Sequence, residues 1–430
     1  MQNLSSHRPT RVRWLVFALA CATSFLLYLH RYCWGVVKGS VKGELGLSDL
    51  QLGWLDSAFA VTYAVGQIPG GAAGDLFGPR RMLSLMILLW SGALAWIGLG
   101  QGMLGLAASR SAFGAAQAGV FANLAKVTKS WFPLTVRTSV QGAISTFSGR
   151  LGGACSSLVV STMLMGLLGF DWRTALYAVA ALGAALAIAF WLLFRDSPAE
   201  HPWCNEEEVR IVSEGSAADA AATASSPGGL VRSSGSVTLA VLLLHSFTST
   251  LPDMLYLNWI PIFLEEAKGF GKVEMGIYAM FPLIGGALGG LFGGTLNDVL
   301  IRVTGNRRLS RSAVGLTGKV VSGGLMAWAI TLEDGRAVMC VLAASKFFTD
   351  WSLPTQWATV TDIAGRAAGT VFGVVNTVGS VAGIVAGPLI GFLKQGYGWE
   401  TLFYFMSAVY VVSGLCWIGI DCTKTLGRGQ

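Results

Sequence analysis

The chain has 430 residues, of which 53% are hydrophobic and only 12% are charged. Soluble domains carry about 25% charged residues, so the composition excludes a soluble globular enzyme and indicates a protein whose solvent is mostly lipid. The net charge of +7 is spread between apolar segments and forms no basic stripe, which argues against a nucleic-acid partner.

Apolar runs predict about twelve membrane-spanning helices, each using about 20 residues. In chain order they cover 14–37, 51–74, 82–101, 104–127, 139–167, 173–194, 238–263, 275–299, 312–332, 337–358, 368–393 and 400–420. Lys and Arg concentrate in alternate connections, as at Arg13, Arg80 and Arg302. By the positive-inside rule we expect both termini in the cytoplasm of a multi-pass protein of the cell membrane, in a bacterium the inner membrane.

A polar stretch at 196–235 separates the sixth and seventh runs and ends in GSAADAAATASSPGGLVRSSGS. Such small residues cannot bury a core, so we predict a cytoplasmic linker between a six-helix half at 1–195 and another at 236–430. Each half carries the same spacing after its second span. It reads Gly71-x-x-x-Asp75-x-x-Gly78-x-Arg80 in the first half and Gly294-x-x-x-Asp298 in the second, which indicates an internal repeat.

The segment 71–81 resembles motif A of the major facilitator superfamily, in which the aspartate and arginines brace a cytoplasmic gate. Four further segments resemble the anion:cation symporter branch, the group of sialin and of bacterial hexuronate and galactonate carriers. They are GELGLSDLQLGWLDSAFAVTYAVGQIPGGAAGD, RSAFGAAQAGVFANLAKVTKSWFP, FRDSPAEHPWCNEEE and PTQWATVTDIAGRAAGTVFGVVNTVGS. The likeness covers essentially the whole chain. It implies an all-α membrane fold and a secondary transporter of a small organic anion, such as a sugar acid, that works by alternating access.

Several arginines lie inside apolar runs, among them Arg31 in the first and Arg110 in the fourth. A cation in the middle of a membrane costs about 2.5–3.5 kcal/mol, so it persists only where it faces a cavity or a partner. Tyr28 lies one helical turn before Arg31, and the resembled family holds its substrate carboxylate with this pair. Two alternatives stay open: Arg31 could snorkel to the outer interface, and Arg110 could tie two helices together.

Other polar side chains complete the predicted substrate site. Tyr63 and Gln67 are an i,i+4 pair on the second span, suited to bonding the hydroxyls of a polyol. Gln117 on the fourth span and Tyr256 on the seventh are further candidates for the substrate site, and the resemblance adds Trp357 and Asn376 as cavity positions. We expect the Asn376 amide to be buried and therefore to need partners from a ligand or a facing helix.

The chain departs from proton-coupled members of the family. His30 stands where they carry an aspartate, and Gln117 stands where they carry a glutamate, so the usual proton relay is missing. His30 and Asp350 are the candidates for coupling, although Asp350 could simply neutralise Lys346 at i,i+4. Arg150 lies within the fifth span, and we predict a third cation for the substrate, with pairing to an acid as the alternative.

Several points stay open at this stage. An organophosphate/phosphate exchanger or an uncoupled anion facilitator is the alternative function, and protons or sodium could drive transport. We expect no metal and no cofactor, since neither the four histidines nor the glycines form a metal or nucleotide motif, and we expect a monomer. Asp56 and Asp253 could both lie close to the outer water.

Overall fold

The structure is a computed structural model that describes residues 9–133, 136, 140–212, 236–364 and 368–424. All regular elements of these residues are helical. Most of the predicted linker, 213–235, lies outside the described residues. The stretch before it forms a short helical segment at 206–212, where the buried Glu208 accepts a hydrogen bond of 2.6 Å from the backbone N–H of Arg11.

The N-terminal half consists of long apolar helices with short connections. They are α1 (Val12–Leu45), α2 (Asp49–Phe77), α3 (Pro79–Gly98), α4 (Met103–Gln117), α5 (Val120–Trp131), α6 (Val140–Leu167) and α7 (Trp172–Leu193). Helix α2 starts with a capping box, in which Ser48 and Gln51 bond each other's backbone. Helix α6 contains two π-helical stretches, Ala143–Ser148 and Ser157–Leu167.

The C-terminal half repeats this plan. Its helices are α8 (Ser236–Asn258), α9 (Ile260–Glu266), α10 (Lys272–Ala279), α11 (Phe281–Thr304), α12 (Arg307–Thr331), α13 (Gly335–Thr349), α14 (Ser352–Ala364) and α15 (Ala368–Gly419). Helix α15 holds the last two predicted spans, which meet at a kink where Gly398 has φ of 79°. The two halves meet where α2 packs on α15, α1 on α9, and α6 on α10.

Eight helices of the described chain are long and apolar enough to cross a membrane. The fourth predicted run is divided instead at Gly119, which has φ of 79° and lies against α2. A Cβ on Gly119 would lie 2.6 Å from the Gly70 carbonyl carbon, and one on Gly70 would lie 2.6 Å from the Ala118 oxygen. Glycine is therefore required at this crossing, both for its dihedral angle and for the close approach of the two backbones.

Candidate substrate cavity

A cavity of about 690 Å³ lies between the two halves. This volume is typical of a site for a small molecule. Its wall includes most of the predicted substrate residues, namely Tyr28, Arg31, Tyr63, Gln67, Arg110, Arg150, Tyr256, Trp357 and Asn376, together with Asp350. Charged side chains from both halves therefore face one shared space.

Arg31 projects into the cavity from the middle of α1. Its Nε donates to Gln117 Oε1 at 3.0 Å, and Gln117 Nε2 donates to the Leu27 carbonyl at 3.1 Å. Gln117 lies behind the cavity wall, so it orients the guanidinium and does not itself line the space. The guanidinium carbon lies 4.5 Å from the ring centroid of Tyr63 and 5.2 Å from that of Tyr28. Within the described ranges no carboxylate comes within 4.0 Å of Arg31, which leaves its charge available to a ligand.

Arg110 is only 2% exposed, yet it reaches the cavity from α4. Its Nε donates to the Leu55 carbonyl at 3.3 Å, and Nη2 lies 4.0 Å from Asp56 Oδ1. Trp34 and Phe59 cover its faces, each with the ring centroid 4.9 Å from the guanidinium carbon. Its Nη1 has no hydrogen-bond partner among the residues that the structure describes. A buried donor without a partner is costly, so this atom is suited to an incoming oxygen.

The sequence left open whether Asp56 lies close to the outer water; in the structure it is buried in the cavity wall. Its Oδ2 accepts from Lys38 Nζ at 2.8 Å and from Trp259 Nε1 at 3.1 Å, and its Oδ1 accepts from Trp34 Nε1 at 2.7 Å. Lys38 is completely buried and forms a closer ion pair with this carboxylate than Arg110 does. Asp56 therefore neutralises Arg110 only in part.

A chain of ion pairs crosses the cavity from one half to the other. Arg150 Nη1 lies 2.7 Å from Asp350 Oδ2, and Lys346 Nζ lies 2.8 Å from both Asp350 Oδ1 and Asp253 Oδ1. Tyr410 donates to Asp253 Oδ1 at 2.7 Å. The predicted pair of Lys346 and Asp350 is present. Arg150 lines the cavity, and its ion pair with Asp350 corresponds to the alternative that it pairs with an acid. In this conformation it is therefore not a free third cation.

Lys319 of α12 is a cavity residue that the sequence analysis missed. It is 1% exposed, and its Nζ donates to Ser249 Oγ at 2.6 Å. Asp253, whose position the sequence also left open, lines the cavity as well. Among the described residues, the wall thus holds five cations against three carboxylates, namely Arg31, Arg110, Arg150, Lys319 and Lys346 against Asp56, Asp253 and Asp350.

The remaining predicted residues vary in their surroundings. Tyr63 stacks on Phe59 with 5.6 Å between ring centroids, and Tyr256 Oη donates to Ser345 Oγ at 3.1 Å. Trp357 is 47% exposed. Asn376 is also exposed along the cavity wall, so the prediction of a buried amide is wrong. Its amide is therefore accessible from the cavity.

His30 lies outside the cavity wall. It is completely buried, and its Nδ1 accepts a hydrogen bond of 3.1 Å from Trp90 Nε1. A Cβ on Gly183 of α7 would lie 2.6 Å from His30 Cε1, so α7 covers the imidazole closely. The placement of His30 therefore gives no support to its predicted role in coupling.

The cavity is closed at the end where α1 finishes. We name the charge cluster there the latch; it consists of Lys42, Asp49, Glu266 and Lys394. Lys42 Nζ lies 2.8 Å from both carboxylates, while Lys394 Nζ lies 2.6 Å from Asp49 and 2.7 Å from Glu266. The backbones of α2 and α15 also touch beside it, where a Cβ on Gly53 would collide with the Gly387 carbonyl. The latch thus joins both halves.

The first copy of the repeated motif lies at the opposite end. Asp75 Oδ1 lies 2.6 Å from Lys126 Nζ, which also donates to the Gly71 carbonyl at 2.7 Å. The Arg80 guanidinium donates to the Trp191 carbonyl at 2.8 and 3.0 Å. These partners all belong to the N-terminal half, so in this conformation the motif braces that half internally.

The other motif positions are helix junctions and surfaces. Gly78 joins α2 to α3 with φ of 79°, and a Cβ there would lie 2.7 Å from Asp196 Oδ2. Gly294 faces α14, where a Cβ would lie 3.7 Å from Pro354, and Asp298 is exposed near the end of α11. Among the described residues, the ion pairs that join the halves lie at the latch and at Arg150 and Asp350, and none lies at this end.

Comparisons with known proteins agree with this architecture. A profile described as the Major Facilitator Superfamily matches residues 20–387. A probable sulfoacetate transporter of Cupriavidus necator is 31% identical over 94% of this chain and 92% of that protein. A probable galactarate/D-glucarate transporter of Bacillus subtilis is 28% identical over 91% of this chain and 88% of that protein.

Solved structures of transporters have the same fold. A bacterial homologue of the human lysosomal transporter Spinster, crystallised in an inward-facing and occupied conformation, has a TM-score of 0.71 at 16% identity and covers 95% of this chain and 94% of that chain. The predicted fold, the predicted resemblance to organic-anion carriers, and the expectation of a transporter rather than an enzyme are confirmed.

Proposed function

The chain belongs to the Major Facilitator Superfamily, and we propose that its cavity binds a small organic anion and carries it across the membrane by alternating access. One observation carries this proposal: the guanidinium groups of Arg31 and Arg110 face the cavity, and Arg31 has no carboxylate partner within the described chain. An anion that enters supplies the missing charge.

The two arginines suit a carboxylate or sulfonate group. A guanidinium presents two parallel N–H donors to two oxygens at once, which a lysine cannot do. Gln117 holds Arg31 in place, so little conformational freedom is lost on binding. Tyr28 contributes a phenol beside the same oxygens, while Tyr63, Gln67 and Asn376 offer hydrogen bonds to the rest of the solute.

The relatives bear on the class of solute. Two of them are named as transporters of sulfoacetate and of galactarate or D-glucarate, which are small organic anions. We propose the same class for this chain. A cavity of about 690 Å³ holds a solute of this size together with water.

The positive-inside rule would place the latch on the outer side of the membrane. The conformation described here is then inward-facing, with the outer mouth shut by the latch and by the contact of Gly53 with Gly387. Import requires the opposite state as well, in which the latch opens and the cytoplasmic ends of the halves meet. We propose that the protein imports its solute, which enters through the outer mouth and leaves toward the cytoplasm.

We place coupling to a cation on Asp350. It is a carboxylate in the cavity wall, and it pairs with Arg150 from one half and Lys346 from the other. A proton or sodium ion on Asp350 would weaken its bond to Arg150 and release that guanidinium toward the solute. Cation and anion would therefore favour each other's binding, as symport requires.

The test is uptake of labelled sulfoacetate and galactarate into proteoliposomes. We expect Arg31→Met to abolish uptake, because the apolar chain fills a similar space without the charge. Arg336→Met is the matched control, since Arg336 is exposed and pairs with Glu274 away from the cavity. Both variants must elute as folded protein. Full uptake by Arg31→Met would overturn the proposed site, and no uptake of either labelled anion by the parent protein would overturn the proposed function.

A further inference from the structure

The cavity has a second region of unneutralised positive charge, in the C-terminal half. Lys319 lies in the middle of α12 and is 1% exposed. Its ammonium donates to Ser249 Oγ at 2.6 Å and lies 5.1 Å from the ring centroid of Tyr410. Neither partner carries a negative charge, and no carboxylate of the described chain lies within 4.0 Å of it.

The neighbouring carboxylates are already engaged. Asp253 bonds Lys346 at 2.8 Å and Tyr410 at 2.7 Å, and Asp350 bonds Lys346 at 2.8 Å and Arg150 at 2.7 Å. Two carboxylates thus balance Lys346 and Arg150. Among these described side chains, Lys319 is the cation that has no carboxylate partner.

A buried ammonium without a counter-charge is expensive, because the hydroxyl and the aromatic ring replace only part of its hydration. Side chains of this kind inside a membrane typically face a pathway for the solute. Lys319 lines the cavity, so the missing negative charge has a route to it.

We propose that Lys319 is a second anion subsite and that the transported solute carries two acidic groups, one held by Arg31 and Arg110 and the other by Lys319. This inference rests on the proposed function and deepens it. The two subsites belong to different halves, so a dianion spans the cavity and contacts both halves at once. A monoanion satisfies one subsite and leaves the other cation unpaired.

The test compares solutes that differ by one acidic group. Galactarate and galactonate both have a six-carbon hydroxylated chain, but galactarate carries two carboxylates and galactonate carries one. Sulfoacetate and acetate form a shorter pair, in which sulfoacetate carries a sulfonate in addition to the carboxylate. Binding to the purified full chain is measured by calorimetry for the parent protein, Lys319→Met, Lys319→Arg and Lys268→Met. Lys268 is the charge-matched control, since its Nζ bonds the Leu332 carbonyl at 2.6 Å and does not line the cavity.

We expect the parent protein and Lys268→Met to bind at least one dianion about 10–100-fold more tightly than its monoanionic partner, a range typical of one charge-assisted contact. Lys319→Met should bring this ratio to within about twofold, because it weakens binding of the dianion far more than binding of the monoanion. Elution of the purified variant as a single peak at the position of the parent protein shows that it is folded. Lys319→Arg should keep much of the preference.

Three results would overturn the subsite. The first is a parent protein that binds both members of each pair equally in an Arg31-dependent way; the proposed function would then stand without the second subsite. The second is an undiminished preference for the dianion in Lys319→Met. The third is a parent protein that binds none of the four anions, which would remove the proposed function as well. If Lys319→Met does not fold, a complete loss of preference in Lys319→Arg would count against a charge-based subsite.

Discussion

The latch sets how easily the closed end of the cavity opens, and Lys394→Gln is the change that tests it. Lys394 of α15 bridges Asp49 of α2 and Glu266 of α9, so it joins the halves directly. The glutamine removes the charge and keeps a polar side chain of similar width. We expect the substitution to shift the protein toward the conformation in which this end is open.

The size of the shift follows from the exposure of the partners. The Lys394 side chain is 5% exposed, whereas those of Asp49 and Glu266 are 12% and 31% exposed. Breaking a buried ion pair costs about 3–5 kcal/mol, and breaking an exposed one costs about 0–1 kcal/mol. Lys42 remains within 2.8 Å of both carboxylates and reduces the loss. We therefore expect the closed state to lose about 1–3 kcal/mol, which corresponds to a 5–150-fold change in the ratio of the two states.

Labelling of a thiol reports this change. Ser57 is 4% exposed, and its Oγ donates to the Ile384 carbonyl of the other half at 2.5 Å, so the position is covered while the end is closed. In a background without native cysteines, a thiol introduced by Ser57→Cys is labelled with a maleimide. The initial labelling rate should rise at least about fivefold in Lys394→Gln, because labelling requires the open state.

Two further variants sharpen the result. Lys424→Gln makes the same change on a side chain that is 62% exposed, and it should leave the labelling rate unaltered. The double variant Glu266→Gln, Lys394→Gln keeps the pair of Lys42 and Asp49, and should recover part of the closed state. Equal labelling rates for Lys394→Gln and its parent would show that the latch contributes nothing to closure.

Three other predictions follow from the same structure. Gln117→Glu places a carboxylate beside the Arg31 guanidinium, so uptake should become more dependent on an inward proton gradient, because protonation of that carboxylate frees Arg31 for the solute. An unchanged response to an imposed gradient would show that a carboxylate at this position does not control the charge of Arg31. Asp350→Asn should lower the melting temperature, because it removes the carboxylate that Arg150 and Lys346 share, at about 1–3 kcal/mol. Adding Arg150→Gln should recover part of the loss, since Lys346 keeps its ion pair with Asp253. A further fall in the double variant would contradict this reasoning. Gly119→Ala should destabilise the protein by more than about 1 kcal/mol, because alanine strains at φ of 79° and meets the α2 backbone, whereas Gly92→Ala, with nothing within 4 Å of its Cβ, should have little effect. Melting curves of the purified variants decide both points.

Hydrophobicity along the chain was sufficient to predict the helices, since a bilayer requires long apolar runs. It could not predict where the fourth run divides. Gly119 is one of 56 glycines, and its positive φ depends on the close approach of α2, which composition does not reveal. The same holds for the tenth run, which is divided between Thr349 and Ser352.

The cavity arginines could be predicted because a charge inside an apolar run is rare. Lys319 lies inside the predicted run 312–332, but the sequence analysis did not consider it as a cavity cation. The distance of Lys319 from the basic end of its helix could have indicated that it lies inside the membrane. Lys319 lies eight residues beyond Arg311, which at 1.5 Å per residue is about 12 Å further along the helix axis, too deep for the membrane surface.

The arrangement of charges also explains why an anion would move the halves. A ligand shifts a conformational equilibrium only if it binds one state better than the other. In the conformation described here, Asp350 and Arg150 already join the halves across the cavity, and the latch joins them at one end. A solute held by Arg31 on one side and Lys319 on the other adds a third link, whose length is set by the solute. Such a link is strongest in the state in which the distance between Arg31 and Lys319 matches the distance between the two acidic groups of the solute. The distance between these acidic groups would therefore decide which anions are carried.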